Sequence, residues 1–100
     1  MKRKVISQLL KILGNPIRLD ILQYLRGDEQ CVCNIFDHLH LPQNLVSHHL
    51  AILRESGFIK ARKDGKWVHY SLNHVRFTEV QDFIETLTSV KNIETNSKCL

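Results

Sequence analysis

Apolar residues recur at helical spacing from the start of the chain: Val5, Ile6, Leu9, Leu10 and Leu13 share one face, and Gly14 closes the run as a C-terminal cap would. Asn15-Pro16 follows as an N-cap with proline in the first helical position, and Ile17, Ile21, Leu22 and Leu25 mark a second helix that runs until Gly27. After Asp28-Glu29-Gln30 and the pair Cys31-Val32-Cys33, a short third helix is predicted, with Asn34 as N-cap and Ile35, Phe36 and Leu39 as its apolar face, ending near His40. Leu41-Pro42 breaks the chain, and Gln43 to Ser56 reads as a fourth helix stopped by Gly57. At 100° per residue its two faces differ: Val46, Leu50 and Leu53 fall together, while Asn44, Ser47, His48 and Ala51 lie opposite.

The period then changes. Phe58 to Arg62 and Trp67 to Leu72 are β-rich runs joined by Lys63-Asp64-Gly65-Lys66, whose Asp-Gly is a strong hairpin signal. From His74 onward, Val80, Phe83, Ile84, Leu87 and Val90 return to helical spacing. The predicted fold is mainly α with a small β-hairpin: about five helices plus a two-stranded wing, in a winged helix-turn-helix arrangement. It occupies residues 1–91, followed by a polar tail over 92–100 that carries Cys99.

One hundred residues allow one domain with one modest core. No apolar run approaches the ~20 residues of a membrane span, so no membrane partner is expected. The first residues superficially resemble a signal peptide, but Ser7, Gln8 and Lys11 interrupt the apolar part and no small-residue cleavage site follows, which points to the cytoplasm. Three cysteines at irregular spacing are too few for a disulfide framework and are expected to be reduced, free to act as ligands.

A net charge of +4 agrees with a polyanionic partner, and its distribution is more informative. Arg54, Lys60, Arg62, Lys63 and Lys66 gather around the hairpin against Glu55 and Asp64. A helix enters the major groove only if its outward side chains are small and can hydrogen-bond to base edges, as Gln43, Asn44, Ser47 and His48 can. Arg62, Lys63 and Lys66 on the wing are the candidate phosphate contacts. His49 is kept with the DNA-facing set, although its wheel position leans to the apolar face and favours a packed, hydrogen-bonded histidine. There is no base-supported nucleophile, glycine-rich phosphate loop or paired-carboxylate set, so neither enzymatic activity nor a catalytic cofactor is expected.

Asn15-Pro16-Ile17-Arg18-Leu19-Asp20-Ile21-Leu22, then Val46-Ser47-His48-His49-Leu50 through Gly57, then Arg62-Lys63-Asp64-Gly65-Lys66 through Tyr70-Ser71-Leu72, resemble in register the ArsR/SmtB family of metal-responsive bacterial repressors. The resemblance spans about residues 5–90. It implies a homodimer formed by the first and last helices, bound to a palindromic double-stranded operator and released by a thiophilic ion. Thiolates select soft or borderline ions. Within the family, Cys31-Val32-Cys33 resembles the arsenite and antimonite sensors, with As(III) or Sb(III) as inducer.

The cadmium/lead branch also carries this motif but adds cysteines in an N-terminal extension, and no cysteine precedes Cys31. Asn34 stands where the arsenite motif usually has an acidic residue, and Asp37 where it has a third cysteine. Cys99 is therefore the remaining thiol candidate for a third ligand. The family's zinc set on the last helix is not matched, so His38, His40, His69 and His74 read as surface or packing residues. Two further readings share the motifs: a sensor of thiol oxidation or persulfidation, and a non-sensing winged-helix protein-interaction module.

The two cysteines also make a backbone prediction. Residues i and i+2 point about 200° apart in a helix and to one side in an extended segment, so joint capture of an ion favours an extended or turned entrance to the third helix. Capture and the DNA-ready geometry are expected to compete.

Overall fold

The structure is a computed structural model and describes residues 2–89. In chain order, the elements are α1 (Arg3–Leu13), α2 (Pro16–Tyr24), β1 (Gln30–Cys31), α3 (Val32–Leu39), α4 (Gln43–Glu55), β2 (Ile59–Asp64), β3 (Trp67–Leu72) and α5 (His74–Leu87). This is the winged helix-turn-helix fold that the periodicity predicts. Val90, assigned to the last helix from sequence, and the tail with Cys99 lie outside the described residues. No helix among the described residues is long and apolar enough to cross a membrane.

Local chemistry fixes the boundaries. Asn15 Oδ1 accepts from the backbone N–H of Ile17 at 2.9 Å and of Arg18 at 3.2 Å, which caps α2. Its last helical residue is Tyr24, three short of Gly27. At the end of α4, Phe58 N–H donates to the Leu53 carbonyl and Gly57 N–H to that of Arg54, a Schellman closure that requires the left-handed backbone Gly57 adopts at φ 84°. The hairpin loop is Gly65-Lys66, flanked by the pair Asp64 and Trp67. Positive φ falls on its first residue, where a II′ turn places glycine.

The core lies where α2, α3 and α4 meet the base of the sheet. Ile21, Ile35, Val46, Leu53 and Phe58 are fully buried, joined by Leu9 from α1 and Val80 from α5. Burial of α4's apolar stripe against these residues aims the opposite face outward, and α1 packs beside α5.

Two expectations need correction. The wing is not two-stranded: β1 adds to it antiparallel, Gln30 opposite Tyr70 and Cys31 opposite His69, giving the order β1-β3-β2. A two-residue strand is too short to show any alternation, so periodicity could not reveal it. Nor is Asn34 the N-cap of α3. The helix begins at Val32 with extended Cys31 as its cap residue, and Asn34 instead donates through Nδ2 to Gln30 Oε1 at 3.3 Å.

Candidate DNA-reading face and thiol site

Helix α4 divides as its wheel predicts. Gln43, Asn44, Ser47, His48 and Ala51 are exposed, while Val46, Leu50 and Leu53 are buried. His49 belongs to the buried side at 6% exposure, so it is not on the outward face with which it was grouped. Its Nδ1 accepts a 3.1 Å hydrogen bond from Arg18 Nε, and Arg18 Nη1 reaches the Ile12 carbonyl at 3.2 Å. An arginine can only donate, so this nitrogen of His49 carries no proton. Burial above all, helped by the charge of Arg18, pushes the His49 pKa below its ordinary value. Arg18 thereby ties the reading helix to the end of α1, a role its place 31 residues from His49 hides in the sequence.

The wing's cations fall into two kinds. Lys63 and Lys66 are exposed near the tip, with Lys66 Nζ 5.6 Å from the centre of the Trp67 ring. Arg62 is engaged: its Nη2 and Nε donate to the two oxygens of Glu29 at 2.7 and 3.1 Å, and its Nη1 lies 4.0 Å from Asp64. The Arg62 hydrogen bond holds the Glu29 carboxyl below its usual pKa. This fork against a carboxylate is the most directional ion-pair geometry available. The two residues are 33 apart, and no local pattern announces their meeting.

Cys31 and Cys33 straddle the junction of β1 and α3. Cys31 is extended (φ -63°, ψ 145°) and Cys33 lies in the first helical turn, so their side chains converge and the two sulfurs are 2.7 Å apart. Both cysteines are free and partly exposed. The hydrogen bond from Cys33, and next the backbone N–H groups at the start of α3, lower the Cys31 pKa, while the same shared proton raises that of Cys33. Cys31 is the first to become a thiolate, the form that bonds metals. The extended entrance to α3 is as expected. One turn of α3 already contains Cys33 while the two sulfurs face each other, so the pair converges without unwinding that turn. Among the described residues, no cluster of three or more Cys, His, Asp or Glu side chains is arranged to hold a metal.

The family model described as bacterial regulatory protein, arsR family, matches residues 15–61, from the cap of α2 to the start of the wing. The arsenical resistance operon repressor of Staphylococcus aureus is 34% identical over 100 residues, covering 100% of this chain and 91% of that protein. The chain belongs to the ArsR/SmtB family. The HTH-type transcriptional regulator MJ1325 of Methanocaldococcus jannaschii is 40% identical over 82 residues, covering 81% of this chain and 92% of its own. Among solved structures, HlyU from Vibrio cholerae superposes with a TM-score of 0.71 at 37% identity, covering 87% of this chain and 94% of that one.

As an ArsR-family member the chain is a DNA-binding transcriptional repressor and not an enzyme. The matched segment holds both Cys31 and Cys33 and the whole of α4, so the thiol pair and the reading helix lie within one helix-turn-helix unit.

Proposed function

We propose that the protein is a homodimeric cytoplasmic repressor that leaves its operator when As(III) or Sb(III) bonds to Cys31 and Cys33. The observation that carries this reading is the convergence of two free thiols at the N-terminus of the helix preceding α4. The arsenical resistance repressors among its relatives support the choice of ion. Gln43, Asn44, Ser47 and His48 read base edges, and Lys63 and Lys66 meet phosphates. Ile84 and Leu87 on α5 and Leu10 on α1 are exposed apolar side chains that a partner subunit covers; Leu9, at 6% exposure, is already used within one chain. Trivalent arsenic takes three thiolates, and Cys99 is the protein's own candidate for the third.

The test is a titration of reduced protein on its own promoter with arsenite, antimonite, cadmium, lead and zinc. Arsenite and antimonite should release the DNA, and Cys31→Ser or Cys33→Ser should abolish that release. A response that persists in the double variant overturns the reading. Release by peroxide or polysulfide but not by arsenite would favour a redox sensor, which two sulfurs 2.7 Å apart also suit. Sulfur coordination by X-ray absorption, wild type against Cys99→Ser without added thiol, decides the third ligand: three sulfurs in both excludes Cys99. Sedimentation tests the dimer, and a monomer at micromolar concentration removes it.

A further inference from the structure

Cys31, His69 and Arg62 form one row across the sheet, since Cys31 pairs with His69 and His69 with Arg62. Residues paired across strands share a face. Leu72 and Ile59 point the other way, into the core, so this row lies on the outer face. Glu29 precedes Cys31 by two residues and closes its carboxylate on the Arg62 guanidinium. The thiol segment is thus an edge strand of the wing, fastened by two backbone pairings and one side-chain fork.

We infer that Glu29 is a positioning residue whose fork on Arg62 carries the occupancy of Cys31 and Cys33 to the DNA-binding wing. This deepens the sensing reading and rests on those two thiols being the ligand site. One ion bonded to both sulfurs at about 2.3 Å each fixes their separation and their directions, so capture sets the position of Cys31 against Cys33. Cys33 is held by α3, whereas Cys31 belongs to the two-residue strand, and the strand is the part that yields. Moving β1 pulls Glu29 relative to Arg62 on β2, the strand that continues to Lys63 and the tip. Arg62, with its charge answered by Glu29 and Asp64, serves as this latch and leaves phosphate binding to Lys63 and Lys66.

The probe is phenylarsine oxide, whose arsenic exchanges its oxygen for two thiol sulfurs. Two S–H protons leave with that oxygen as water, and no electron is transferred. It bridges the pair whether or not inorganic arsenite is the natural inducer, so a failure of the arsenite reading and a failure of the latch give different results. In a Cys99→Ser background, with one phenylarsenic per chain confirmed by mass, operator affinity is measured before and after bridging for Glu29 with Arg62, Glu29→Gln, Arg62→Gln, and the exchanged pair Glu29→Arg with Arg62→Glu.

Bridging should weaken operator binding of the parent within the roughly 5- to 150-fold range of typical couplings. The ratio should fall towards one in both single variants and recover in the exchanged pair. Arg62→Gln should also leave the salt slope of binding unchanged, whereas removal of a phosphate contact lowers it by about one. The proposal is overturned by a parent that bridging does not release, by single variants that respond like the parent, by an exchanged pair that fails to recover, or by an Arg62→Gln salt slope reduced by about one.

Discussion

Helix α4 is anchored by side chains that water hardly reaches, Val46 and Leu53 at 0% exposure and His49 at 6%, whereas Glu29 and β1, which lead into the thiol pair, are held by an exposed ion pair and two backbone pairings. The first kind of attachment resists change, because removing buried atoms leaves a cavity that neighbours only partly fill. The second is easily shifted, because a solvated pair competes with water at every moment. A repressor needs both. Under the proposed function, the reading face must keep one geometry to discriminate operators, and the thiol edge must be able to move when a small ion arrives.

That contrast can be broken most forcefully from the buried side. Leu53→Ala should cost about 2–5 kcal/mol of stability, the range for deleting a buried leucine, read as a fall in the urea midpoint. A loss below 1 kcal/mol would mean that the reading helix is not held by its core face. Next in size are the outward residues. Ser47→Ala or His48→Ala should leave stability nearly unchanged and weaken operator binding by about 1–3 kcal/mol if a base contact is lost. Lys66→Ala should instead weaken all sequences alike and reduce the salt slope by about one. If neither kind of variant alters binding, DNA docks elsewhere.

Gly57→Ala tests the joint between the two regions, since Gly57 ends α4 and introduces β2. At φ 84° an alanine pays about 1–2 kcal/mol for its left-handed backbone. Its Cβ would also lie 2.9 Å from the Arg76 guanidinium, which the flexible end of that side chain can relieve. A urea midpoint equal to that of wild type would show that the Schellman closure is dispensable.

What the sequence revealed follows the same division. Residues that act through a helix face or a local turn announce themselves: the buried stripe of α4, the Asn15 cap and the Asp-Gly hairpin are all legible within a dozen positions. The convergence of Cys31 and Cys33 was also legible, because side-chain direction depends only on the backbone of three residues. Contacts closed by the fold were not. Glu29 and Arg62, or Arg18 and His49, meet because β1 joins the wing and α2 packs on α4, and each pair is separated by more than 30 residues. The ion pair of Arg62 was hidden for the same reason: charge alone does not tell which carboxylate the fold brings to it.

The smallest effect concerns His49 and the pH. Folding places its Nδ1 where it accepts from Arg18 Nε, and protonation would turn that acceptor into a donor and set two cations face to face. Burial and Arg18 hold its pKa below the ordinary value, so the folded chain refuses a proton that the unfolded chain takes up as the pH falls below about 6.5. Since the unfolded state binds more protons in that window, the contribution of His49 to stability is complete above about pH 6.5 and is lost as the pH drops through the window towards the lowered folded value. His49→Gln retains an oxygen that can accept from Arg18 and has no proton to gain. Its urea midpoint should therefore fall less than that of wild type between pH 7.5 and 5.5. Equal pH dependence in the two proteins would show that His49 is free to ionise where it stands, and that the attachment of α4 is less protected from water than its burial indicates.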